Sequence, residues 1–133
     1  MKYMLRSLAI GCVMAAAAWS VGPASAHHSS YMFDHNKTIT ISGVVKQFQY
    51  TNPHSWLIVE KKNPDGTLTA WGFEAEGPST LMRAGIHKSD LKPGMKITIS
   101  GHPMKDGRPA ATWMTAKDDN GKVFNPRAGF KIK

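Results

Sequence analysis

Cysteine is almost missing from this 133-residue chain. The single one, Cys12, lies inside an N-terminal apolar stretch. If that stretch is removed, no thiol remains, so a disulfide framework, a thiolate metal site and a cysteine nucleophile are all excluded. Acidic residues are few as well, nine against seventeen Lys and Arg. No repeat, low-complexity tract or Gly-rich phosphate loop appears. After residue 21 there is no second long hydrophobic run, so no membrane span is expected in the mature chain.

Residues 1–26 read as a signal peptide. Lys2 and Arg6 supply the positive start, and Leu8–Val21 is apolar. That run is about 14 residues, short of the roughly 20 that a spanning helix needs. Gly22-Pro23 breaks it, and Ala24-Ser25-Ala26 fits the small-x-small pattern before a cleavage site. Cleavage between Ala26 and His27 predicts a periplasmic or secreted protein that begins His27-His28-Ser29. The processed chain has 107 residues and a net charge of +6, because Lys2 and Arg6 leave and all nine acidic residues stay. Its basic residues are scattered, which reads as a solvated surface. Export argues against nucleic acid as a partner.

Residues 27–37 form an N-terminal arm in which Tyr31, Met32 and Phe33 are placed to pin it to a core. Thr38–Tyr50 alternates at period two and predicts a long strand, with a bulge or sharp coil expected at Gly43. Ser55–Lys61 and Thr67–Ala75 form a hairpin across Asn63-Pro64-Asp65-Gly66. Gly77-Pro78-Ser79 opens a short helix, with Ser79 its expected N-cap and Gly85 its stop. Met95–Gly101 and Pro109–Lys117 complete five strands, Val123-Phe124 is a short extra segment, and residues 119–133 form a basic tail. Three strands, a short helix and two strands are the order of an OB-like five-stranded barrel over 38–118. A small β-sandwich is the alternative.

The run His27-His28-Ser29 with Phe33-Asp34, then Gly43-Val44-Val45, Thr51-Asn52-Pro53-His54-Ser55-Trp56, Leu91-Lys92-Pro93-Gly94, Gly101-His102-Pro103 and Asp106-Gly107-Arg108-Pro109, resembles a family of exported bacterial proteins classed as a domain of unknown function. The chain departs from that pattern at Ser30-Tyr31 and at Met95. The resemblance implies a small exported β-domain and no particular activity.

The chemistry points to a metal. A free α-amine and the His27 imidazole lose their protons near neutral pH. The amine and Nδ1 of His27 close a six-membered chelate ring. One further imidazole completes the T-shaped nitrogen set of a histidine brace, which suits copper(II). His28 offers a rival mode through the intervening backbone nitrogen. His54 and His102, each next to a proline at a strand end, are the expected distal ligands, with His35 a third candidate. Asp34 is expected to orient a ligand imidazole, and Met104, just past His102-Pro103, to lie close by. Trp56 and Trp71 are candidates for a stacking platform. Glu74 and Glu76 share one face of a strand and read as a charge pair. No catalytic constellation stands out. The expectation is therefore a periplasmic copper-binding protein (carriage, buffering or delivery) that works with another periplasmic protein. The alternative is a metal-free binding module for a small or anionic ligand.

Overall fold

The computed structural model describes residues 31–128. Seven strands form one sheet: β1 (Ile39–Gln49), β2 (His54–Lys62), β3 (Leu68–Glu76), β4 (Lys96–Gly101), β5 (Ala110–Thr112), β6 (Thr115–Asp118) and β7 (Val123–Phe124). A short helix, α1 (Pro78–Arg83), and a 3-10 turn at Lys88–Asp90 lie between β3 and β4. The strand order is β5-β3-β2-β1-β4-β6-β7, antiparallel throughout except for the parallel pair β3–β5.

The all-β class with one small helix is therefore as expected. A single sheet forms in place of the two sheets of a sandwich, and the strand pairing does not run round as a closed barrel. The expected fifth strand is split at Trp113-Met114. Its first half pairs with β3 and its second with β4. At the split, the Trp113 N–H donates to the Glu74 carbonyl (2.7 Å) and the Met114 N–H to the Ser100 carbonyl (2.9 Å). One stretch of chain thus reaches both β3 and β4.

Turn chemistry sets the register. In the β2–β3 turn Gly66 takes the left-handed conformation, φ 86°. The Asp65 carboxylate accepts from the Thr67 N–H (3.0 Å) and the Thr67 hydroxyl (2.6 Å). Asparagine, aspartate and glycine favour such a turn for these reasons. It aligns Lys62 with Leu68 and, at the far end, His54 with Glu76. The inward residues Leu57, Val59 and Phe73 are completely buried and join Ile41, Val45, Ile97, Ile99, Trp113 and Phe124 in the core.

Two expectations are corrected. The irregularity in β1 falls between Val45 and Gln47, not at Gly43. Gly43 instead leaves room between strands. A Cβ there would sit 2.3 Å from the Glu60 carbonyl oxygen, so only glycine lets β1 approach β2 this closely. The N-cap of α1 is Gly77, with Pro78 opening the helix and no side-chain cap from Ser79. Proline suits a first helical position because its missing N–H would have no partner there. A Cβ on Gly77 would also meet Asn52 Oδ1 at 2.5 Å. Gly85 stops the helix as expected, at φ 76°.

Candidate functional site

A cavity of about 130 Å³ opens where five segments meet. His54 begins β2, and Glu74 and Glu76 end β3. Thr112 and Trp113 follow from β5. The N-terminal arm contributes Phe33 and His35, and the turn after β7 contributes Pro126 and Arg127.

His54 and Glu74 form the centre of this cleft. Trp56 faces Glu74 across the ladder, so His54, two residues earlier, is its diagonal neighbour on the same face. The His54 Nδ1 is hydrogen-bonded to Glu74 Oε1. An ionised carboxylate only accepts, so Nδ1 is the donor, and in the neutral ring Nε2 is then the nitrogen with the lone pair. Both side chains are largely shielded, His54 at 25% exposure and Glu74 at 10%. The turn beneath is tied down: the Thr51 hydroxyl donates to the His54 carbonyl (3.0 Å), and the hydroxyl of fully buried Ser55 donates to the Thr51 carbonyl (3.3 Å).

His102 repeats the pattern with a backbone partner. Its Nδ1–H donates to the Lys37 carbonyl at 2.7 Å, again leaving Nε2 as the acceptor. Its ring lies edge-on to His35, with 5.0 Å between centroids. The arm is therefore fastened beside this strand end. The Asp34 N–H donates to the Pro103 carbonyl (2.8 Å), the Lys105 N–H to the Met32 carbonyl (2.9 Å), and Phe33, 2% exposed, forms a bridge with Met104. The predicted pinning of the arm rests on Phe33; Tyr31 and Met32 stay exposed.

Of the sequence-derived candidates, His35 meets His54 in the cleft and His102 edge-on. Asp34 serves the arm itself: its carboxylate accepts from the Asn36 N–H (3.1 Å) and pairs with Lys37 (3.3 Å). The Asn36 hydrogen bond is the main reason its carboxyl lies below the usual 3.8. Met104 is buried against Phe33 as a core residue. Trp56 and Trp71 make no common platform. Trp56 shares the face of Glu74 and leans over Gly72, whereas Trp71 faces Val59 and packs on the core from the other side. His27 and His28 lie outside the described residues, as does the signal segment. Among the described residues no three His, Cys, Asp or Glu side chains come together as a metal-holding group.

Sequence reasoning read Glu74 only as a charge pair with Glu76, and it did not single out Thr112, Trp113 or Arg127. Glu74 was within reach, because counting back from the Asn63–Gly66 turn puts it diagonal to His54. Arg127 was assigned to a basic tail, yet residues 125–128 form a turn in which the Arg127 N–H donates to Asn125 Oδ1 (2.9 Å).

Fold and site together define a small all-β protein with a histidine–glutamate cleft between the first and last of its described segments. It belongs to a family of unknown function (DUF6152), which it matches over residues 14–114. That stretch holds every cleft residue named above except Pro126 and Arg127. No curated protein matches the chain.

Proposed function

We propose that the exported, processed chain is a copper-binding protein of the periplasm, with an OB-like fold. The His27 amine and imidazole anchor the metal, and an imidazole of the cleft completes the nitrogen set. The observation that carries this reading is the His54–Glu74 pair. A ligand histidine characteristically gives its second N–H to a carboxylate or carbonyl, which fixes the ring and raises its basicity. His54 is held in this way through Nδ1, so that Nε2 is the nitrogen left for a metal, and His102 is held similarly by the Lys37 carbonyl. A brace needs only one distal imidazole, so it does not call for three ligands among the described residues.

Chain length supports the reading too. Five residues lie between His27 and Phe33, which lines the cleft. Six residue-to-residue steps span at most about 20 Å, enough to carry the amine into a cavity beside Phe33. Copper carriage, buffering or delivery to another periplasmic protein fits a chain this small. The OB-like reading is supported by the β1–β2–β3 meander, the helix that follows it, and the reach of residues 110–118 to both β3 and β4.

Calorimetric titration with copper(II) tests the proposal. The processed chain should bind one equivalent, and adding a single alanine before His27 should weaken binding at least tenfold. Glu74→Gln should weaken it ten- to a hundredfold, the range found when such supporting partners are lost. Equal affinity in the processed and extended chains would overturn the terminal-amine site.

A further inference from the structure

The same cleft carries a set of hydrogen-bond donors that copper binding does not use. Trp113 lines it at 1% exposure, and its indole N–H is buried without an acceptor. A buried donor left unpaired costs about 1–3 kcal/mol, so an acceptor that reached this atom would be stabilised there. Next to it in the chain, Thr112 Oγ accepts from the His102 N–H (3.1 Å), and its own hydroxyl proton has no acceptor among the described residues. Arg127 lines the same cavity, and among the described residues its guanidinium has no carboxylate at ion-pair distance. Of the two acidic side chains present, Glu74 is bonded to His54, while Glu76 is exposed at the rim. Phe33, Ala75 and Pro126 add apolar wall.

A cation, a fixed N–H and a hydroxyl donor against an apolar wall select an anion with a short hydrocarbon part. We propose that this cleft binds a small aliphatic monocarboxylate, its oxygens taken by the Arg127 guanidinium and the Trp113 indole N–H, with its alkyl end against Phe33 and Pro126. Planar guanidinium groups match carboxylates well because two parallel N–H bonds reach both oxygens. The cavity, about 130 Å³, limits the ligand to acids of a few carbons. The carboxylate and the metal-bearing N-terminus would share this one cavity, so the test is run without copper. Arg127 lies beyond the stretch matched to the family, which ends at residue 114.

The test uses the metal-free processed chain, labelled with nitrogen-15, at constant ionic strength set with sodium chloride. Acetate is titrated while the Trp113 indole N–H resonance is followed, with acetamide as the neutral isostere. Acetate should move that resonance downfield to saturation, and acetamide should bind at least tenfold more weakly. Arg127→Gln, at an exposed position that leaves the core untouched, should weaken acetate at least fivefold. An indole resonance that does not respond to acetate, or that responds equally to acetamide or in Arg127→Gln, would overturn the proposal. Because no copper is present, neither result bears on the metal site.

Discussion

Gly101 stands where the approach of two backbones is tightest. A Cβ there would lie 1.7 Å from the Thr112 carbonyl oxygen. That contact holds His102 beside β5, whose Thr112 N–H donates to the His102 carbonyl at 2.9 Å. The glycine of Gly101-His102-Pro103 therefore positions a candidate ligand by leaving room, and it does so in an ordinary conformation, since its φ is not positive. Gly66 is the opposite case, with φ 86° and open space around it. Gly101→Ala should cost about 3 kcal/mol or more, because backbone must move. Gly66→Ala should cost about 1 kcal/mol, the penalty of a left-handed alanine. Chemical denaturation of the two variants checks the order, and equal losses would contradict it. At this scale the sequence made the histidines legible but not their supports. His54 and His102 stood out by residue type and by the prolines beside them. Glu74, Trp113 and Arg127 looked ordinary, because their roles come from three chain segments meeting at one cleft. Asp34 and Met104, neighbours in sequence to His35 and His102, make their described contacts in the arm's turn and in the core.

Among the elements, Tyr50 fastens the end of β1 to the helical connection. Its hydroxyl lies 3.1 Å from the Pro78 carbonyl and 2.9 Å from the Ile86 carbonyl, at either end of α1. Burial raises its pKa above the ordinary 10.0, and the negative charge of Asp90 adds to the effect. A folded pKa above the unfolded one means the unfolded chain loses its proton first. The stability from this hydroxyl is thus whole below pH 10 and is lost as pH rises through the folded value. Tyr50→Phe should lower stability by about 1 kcal/mol at neutral pH, and it should flatten the alkaline fall. Urea unfolding between pH 8 and 11 measures both, and an unchanged alkaline slope would contradict the assignment. Strand order and turns were readable here because alternation, Asn-Pro-Asp-Gly and the stop at Gly85 act locally. The β1 irregularity was not. It falls at Lys46, beside Val45, whose N–H and carbonyl bond Met95 and Gly94. Nothing near Lys46 in sequence announces a partner fifty residues away.

For the whole molecule, four aspartates make the fold acid-sensitive. Asp34, Asp65, Asp90 and Asp106 are all held below 3.8. The leading cause is a backbone N–H donated to the carboxylate in Asp34, Asp90 and Asp106, and the Thr67 hydroxyl in Asp65. Lowered folded values mean the unfolded chain takes up protons first as pH falls. Their contribution is present above 3.8 and disappears as pH drops through the folded values. Thermal melts should therefore show the midpoint falling steeply below pH 4. A midpoint flat from pH 5 to 2 would contradict this. Copper binding should also weaken on acidification, because imidazole and amine must be deprotonated to hold the metal.

The central claim is that the amine end of the processed chain and an imidazole of the cleft share one copper ion. Among the described residues no helix is long and apolar enough to cross a membrane. Pulsed electron paramagnetic resonance of the copper(II)-loaded chain reads the answer directly, because the remote nitrogen of each bound imidazole modulates the echo. The account predicts coupling from the His27 ring and from a cleft imidazole, with the modulation depth falling by one nitrogen in either His54→Ala or His102→Ala. A spectrum unchanged in both variants would contradict it.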